Sequence, residues 1–311
     1  MATSNQQLVR DASTLANYKA WGQAISNFFA TAGWSKSSDS GQVNWSTIST
    51  VPSNSITRDY EIWTPGDGLQ AFYLKIQYGT SSASSNTSPL VQFTLSSATN
   101  GSGTPSGFIT GSFQWGNGGV NVTSTSTQWQ CYFSGDSGRM CILMWRDDTT
   151  GGAPSVLVIQ RSLNASGATY GTSTTGYVTM VGTGGAQNAP NFQQSLVFNV
   201  GVSNPVQQST SNQNALVILR NTNNQSSATQ LFNGSASISP VFPDVGFFDN
   251  PMDAVAIGAY NDFTEGSQYT IAAGNMPYGV SHNYIAAKNV RLDWAFFQPT
   301  GAKSCWLVRY D

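Results

Sequence analysis

Hydrophobic positions change period once along the chain. Between Thr14 and Ala32, the residues Tyr18, Trp21, Ile25, Phe28, Phe29 and Ala32 recur at steps of three and four, which gathers them on one face of a 3.6-residue helix. Asp11 or Ser13 stands where a cap is needed, and Gly33 where a left-handed stop residue is expected. From Trp34 onward the period is two. Phe72, Leu74, Ile76 and Tyr78 alternate with Lys75 and Gln77, and Val91, Phe93 and Leu95 repeat the pattern of a half-buried strand. Trp129–Phe133 and Met140–Trp145 flank the turn-rich Ser134–Gly138, which predicts a hairpin with a longer loop. Its second arm is apolar on both faces and is expected to be a central strand.

Further strands are expected at Val156–Gln160, Tyr177–Val181, Leu196–Val200, Ala215–Leu219, Leu292–Phe297 and Ser304–Tyr310. Many short strands and one helix predict a mainly β fold, an antiparallel β-sandwich or jelly-roll-like architecture with one N-terminal amphipathic helix. Thr80–Pro89 and Ser96–Gly107 consist almost entirely of Ser, Thr, Gly, Asn, Ala and Pro and read as polar loops. The Gly182–Pro190 stretch is a candidate boundary. The expected division is a helical segment over 1–35, a β-sandwich lobe over 36–185, and over 186–311 a second lobe or a continuation of the first. No repeat of fixed period is visible.

Charge alters the functional picture more than the fold. Charged residues make up 9% of the chain, against roughly 25% in an ordinary soluble domain. The net charge is −2. Such a surface has no field to attract phosphates, so nucleic-acid binding is not expected. It suits close packing against neighbouring subunits, or contact with sugars. The same scarcity weakens an enzymatic reading: His282 is the only His, and Glu61 and Glu265 are the only Glu. Cys131, Cys141 and Cys305 lie in apolar stretches and are expected to be free buried thiols.

Walker, G-x-G-x-x-G, H-E-x-x-H, C-x-x-C and G-x-S-x-G patterns do not occur. A Ser-His-Asp triad would have to use His282, which reads instead as a loop or hydrogen-bonded structural residue. Asp244, Asp249, Asp253, Asp262 and Glu265, with Asn250 and Asn261 among them, offer oxygen ligands suited to Ca²⁺. Their spacing fits no EF-hand loop, and Asp in turns also serves its own backbone. Asp147 and Asp148 raise the thought of glycoside hydrolysis, but neighbours on an extended chain point apart, so a turn is the expected role. No catalytic residue, cofactor or metal is therefore assigned. The first residues lack the basic and apolar regions of a signal peptide, and no apolar run is long enough to span a bilayer, so no membrane partner is expected.

Two blocks carry a resemblance. Tyr18–Gly22, Ile25, Gly33-Trp34, Asp39–Trp45, Tyr60–Trp63, Leu69-Gln70 and Tyr73–Gly79 form the first, and Val158–Ser162 with Asn164–Gly167 the second. Together they resemble uncharacterised virion or tail-associated structural proteins of tailed bacteriophages; Gln160 and Ser162 depart from the Glu-Arg-Thr pattern of that family. The resemblance implies a particle component without known catalytic residues, located in the virion and assembled in the bacterial host cytoplasm. It implies a tail, baseplate or fibre-attachment position first and head decoration second. Its partners would be other virion structural proteins and further copies of itself, with host surface glycan as partner in the alternative of a receptor-binding module. The helical stripe of Tyr18, Trp21, Ile25, Phe28 and Phe29 must be covered, either by the chain's own sheet or as an assembly contact with another subunit.

Overall fold

The computed structural model of the chain describes residues 1–53, 55–83, 86–109, 112–115, 128–146, 155–161, 163, 169, 176–186, 189–192, 196–200, 217–219, 238–243, 253–259, 264–271, 281–288 and 304–311. The fold is mainly β. Strand β1 (Ala2–Val9) precedes helix α1 (Leu15–Thr31). Then come β2 (Ser35–Lys36), β3 (Asp59–Thr64), β4 (Tyr73–Ala83), β5 (Asn86–Thr99), β6 (Pro105–Ile109) and β7 (Phe113–Trp115). These six make an antiparallel N-side sheet in the order β2-β3-β4-β5-β6, with β7 also on β5.

The next strands are β8 (Gln128–Asp136), β9 (Arg139–Arg146), β10 (Ser155–Arg161), β11 (Gly176–Ala186), β12 (Ala189–Phe192) and β13 (Leu196–Val200). With β1 they form a central sheet ordered β1-β8-β9-β10-β11-β12, β13 also lying on β11. A C-side sheet follows, from β14 (Val217–Leu219), β15 (Ile238–Pro243), β16 (Val255–Ala259), β17 (Gln268–Ile271), β18 (His282–Lys288) and β19 (Ser304–Arg309), in the order β14-β15-β16-β19-β18-β17.

Alternation in the central sheet explains the layering. All seven residues of β10 are buried. Side chains of successive strand residues point to opposite faces, so a strand buried throughout must be covered on both. On one face Cys131, Phe133, Met140, Ile142, Met144, Leu157 and Ile159 join a single core with α1 and the N-side sheet. On the other, Gln160 reaches Asp253 and Tyr132 meets Tyr310, so the C-side sheet provides the second cover. The apolar second arm of the hairpin, β9, is accordingly an interior strand of the sheet.

Helix α1 wedges between the central and N-side sheets. Trp21 and Phe28 meet Trp129 and Phe133 of β8, while Phe29 meets Trp63 of β3 and Tyr18 meets Trp45. Tyr18, Trp21, Ile25, Phe28 and Phe29 are all at most 4% exposed. At about 1.5–3 kcal/mol for each large apolar side chain, their burial contributes on the order of 10 kcal/mol. Of the two covers open to this stripe, the chain's own sheets supply it; the face offered as an assembly contact is the one the chain buries.

Local details differ from the sequence expectations. Thr14, not Asp11 or Ser13, caps α1, its side chain accepting from Asn17 N at 3.2 Å. Asp11 instead accepts from the backbone and hydroxyl of Ser13. Gly33 does end the helix at φ 91°. The segment ahead of the helix is strand β1. The hairpin expected to have a longer loop turns within two residues, because Asp136 pairs directly with Arg139. Thr80–Pro89 is no loop but the end of a long β4–β5 hairpin, with Thr80 opposite Pro89 and Ala83 opposite Asn86. A ladder of backbone hydrogen bonds needs no apolar side chains, and Thr favours strands. Ser96–Gly107 is likewise mostly strand, belonging to β5 and β6. The Gly182–Pro190 stretch carries the end of β11 and the start of β12. Leu292–Phe297 lies outside the described residues. Among those residues, no helix is long and apolar enough to cross a membrane.

Candidate functional site

Among the described residues, the richest group of ionisable side chains fastens the C-side sheet to the central one. His282 opens β18, Arg309 closes β19, Asp253 sits two residues before β16, and Asp311 lies two residues beyond β19. Pairing of β18 with β19 and of β16 with β19 brings them together. His282 Nε2 is 3.1 Å from Asp253 Oδ2 and Nδ1 is 3.2 Å from Asp311 Oδ2. Arg309 spans the same carboxylates, with Nη1 2.6 Å from Asp253 and Nε 2.6 Å from Asp311. The central sheet holds both from across the interface. Gln160 donates to Asp253 Oδ1 at 2.6 Å and accepts from Ala254 N at 3.1 Å. Arg139 and Ser134 donate to the backbone carbonyl of Asp311 at 2.9 and 3.3 Å.

Burial alone would raise the Asp253 carboxyl; hydrogen bonding with His282, the Arg309 charge and the Gln160 amide outweigh it and bring it down to about 2. Asp311 is likewise held well below the usual carboxylate range, its burial outweighed by hydrogen bonds from His282, Arg309 and Asn283 N. For His282, burial pulls downward, and the hydrogen bonds to Asp253 and Asp311 overcome it and lift the imidazole above its ordinary value. Two flanking carboxylates favour an imidazolium that donates from both nitrogens. A general base needs one nitrogen free to accept a proton, and neither is. The nearby Ser134 hydroxyl donates to a backbone carbonyl. In chemical terms the group can hold and orient; it is not arranged as a Ser-His-Asp triad.

A second polar node lies in the N-side core. Glu61 on β3 is fully buried. Its Oε1 accepts from Ser26 of α1 at 2.8 Å, Trp45 Nε1 at 3.0 Å and Lys36 Nζ at 2.6 Å. Its Oε2 accepts from the Tyr78 hydroxyl at 2.8 Å and Trp63 Nε1 at 3.2 Å. Burial, then the Glu61 charge, push the Tyr78 hydroxyl well above its ordinary value, so it stays a donor. One turn pair along, the Tyr18 hydroxyl donates to Asp59 Oδ2 at 2.8 Å. The helix thus docks on β3 through Tyr18–Asp59, Ser26–Glu61 and Phe29–Trp63.

The third fastening joins the central sheet to the 65–72 loop between β3 and β4. Arg161, 2% exposed, donates from Nη2 to Asp67 Oδ1 and Gln70 O, each at 2.9 Å, and from Nε to Asp67 Oδ2, while lying over the Phe72 ring. Asp39 closes a loop in the same style, accepting from Ser37, Thr99 and Gly103 N.

Among the sequence candidates, the proposed acid cluster splits. Asp244, Asp249, Asn250, Asn261 and Asp262 lie outside the described residues, as do Asp147 and Asp148. Asp253 has both oxygens engaged by His282, Arg309 and Gln160, and Glu265 is exposed. His282 is in a strand, not a loop. Cys131 and Cys141 are free and buried, burial pushing the Cys141 thiol up to about 12. Sequence reading gave Glu61, Arg161 and Gln160 no chemical role. Glu61 carried the clearest signal, a charge alternating in step with Trp63 on an inward strand face.

Comparison with protein-family models, with curated proteins and with solved structures gave no match.

Proposed function

We propose that the chain is a non-enzymatic structural component of a tailed-phage virion, most naturally of the tail, baseplate or fibre-attachment region, working through contacts between subunits. The observation that carries this reading is how the scarce charges are used. His282 and Arg309 are committed to Asp253 and Asp311, Arg161 to Asp67, and the buried Glu61 to Lys36. Among the described residues Lys36, Arg58 and Glu265 stay exposed, but with 9% charged residues in the chain the surface is poor in charge, which lets it pack against a neighbour with little cost of desolvating charge. Fastenings between all three layers also suit a part that must resist deformation. The resemblance of the Tyr18–Gly79 block to tail-associated proteins points the same way.

Mass spectrometry of gradient-purified particles of the encoding phage, followed by a cryo-EM map, tests the reading. The expected result is the chain present at a fixed ratio to the other particle proteins, with density matching three stacked sheets. Its presence only in the soluble host lysate would contradict the proposal.

A further inference from the structure

The edges of the three sheets are unequal. β2 has two residues, β14 three and β17 four. β12 has four and includes Pro190, and β6 starts at Pro105 and meets β5 with a shifted register. These five are short, interrupted or both, as natural edges are when they must not recruit another strand. β7 and β13, which also border a sheet, have three and five residues. β1 is the longest of these edges. Its eight residues, Ala-Thr-Ser-Asn-Gln-Gln-Leu-Val, pair with β8 in an unbroken register and contain no Pro and no charge. Among the described residues no strand lies on its other side.

We infer that β1 pairs edge to edge with β1 of a second copy, antiparallel about a two-fold axis at Asn5, so that the central sheets of two copies become continuous. This inference rests on the reading of the chain as a subunit-contact protein. The occupant follows from the strand's own pattern. Thr3, Asn5, Gln7 and Val9 are exposed on one face. In a register centred on Asn5, Asn5 faces Asn5, Thr3 faces Gln7, and Met1 faces Val9. Met1 and Val9, 63% and 37% exposed, are two of the three large apolar residues left exposed among the described residues. An antiparallel copy covers each with the other, and every remaining pair is neutral. Self-complementarity of this kind is what a two-fold interface requires. The Trp21 indole takes the Val9 carbonyl at 2.8 Å, which marks where the pairing ends.

Sedimentation of the full chain with Asn5→Lys, Asn5→Asp and an equal mixture of the two tests this. Asn5 is exposed, so neither change disturbs β1–β8 pairing, and circular dichroism checks that the fold is kept. Wild type is expected to form dimers, each single variant to self-associate at least about tenfold more weakly, and the mixture to recover dimers, because opposite charges then meet across the axis. A monomeric wild type, variants that dimerise like wild type, or a mixture that behaves as its components would overturn the inference. If these fail while the chain is found in particles, only the edge pairing falls. If the chain is absent from particles while the dimer behaves as expected, only the virion reading falls.

Discussion

Gln160 and Arg161 are neighbours on β10 that hold carboxylates on opposite faces of the central sheet: Gln160 Nε2 lies 2.6 Å from Asp253 Oδ1, and Arg161 Nη2 lies 2.9 Å from Asp67 Oδ1. The alternation of a strand turns two adjacent residues into two fasteners, one for each outer layer.

The fasteners differ in what their loss leaves behind. Asp67→Ala strands a buried guanidinium, whose Nη1 already lacks a hydrogen-bond partner; the expected loss is about 3–5 kcal/mol. Gln160→Ala removes a neutral amide and should cost about 1–3 kcal/mol. Combining Asp67→Ala with Arg161→Met should cost less than Asp67→Ala alone, since no unpaired charge remains. Denaturant midpoints at constant m-value check all three; a double variant weaker than Asp67→Ala would show that the pair's charge is not what Asp67 serves.

Glu61→Gln tests the node beneath α1. An amide presents its own donors to a ring of five donors. The hydroxyls of Ser26 and Tyr78 can turn and accept, but the indoles of Trp45 and Trp63 cannot. A loss of about 1–3 kcal/mol is expected, with altered near-ultraviolet circular dichroism from the two tryptophans. Unchanged stability would mean the node is dispensable.

Gly22→Ala should destabilise the protein although Ala is the better helix former by about 1 kcal/mol. A Cβ at this position would fall inside the ring of Trp45, which is buried and hydrogen-bonded to Glu61. The expected net effect is overpacking at about 1–3 kcal/mol, read as a lower melting temperature. A higher melting temperature would show that Trp45 moves freely.

Much of this was legible beforehand and some was not. The helix, its stripe and the interior strand β9 follow from periodicity, because burial leaves a direct trace in apolar spacing. Thr80–Pro89 misled because polar strands bond through the backbone, which leaves no such trace. β1 was missed for the same reason: Ala-Thr-Ser-Asn-Gln-Gln carries little apolar alternation, and its pairing with β8 is a long-range event. The His282 group was hidden because its members, at 160, 253, 282, 309 and 311, meet only through sheet pairing. Acidic residues close in sequence drew attention to Asp244–Glu265, while the partners that Asp253 actually has lie far from it along the chain.

Stability should depend on pH on both sides of a plateau. His282 is raised in the fold, so its contribution is full below the ordinary value of about 6.5 and is lost as pH climbs through the folded value. Asp253 is depressed to about 2, so its contribution is present above the ordinary carboxylate value and is lost as pH falls toward about 2. The melting temperature should therefore decline as pH climbs through the folded value of His282, and His282→Asn should flatten that alkaline limb and also move the acid limb to higher pH, because His282 helps to hold Asp253 and Asp311 down. An alkaline limb unchanged in the variant would assign it elsewhere.

The central proposal is that the ionisable groups gathered around His282 serve as fasteners, and His282 tests it most directly. It is the only His in the sequence, so nitrogen-15 NMR of the imidazole yields one unobscured titration. The account predicts an imidazolium, both ring nitrogens protonated, that keeps its proton to higher pH than an ordinary imidazole does. A neutral ring at pH 6, with one nitrogen free to accept a proton, would contradict it.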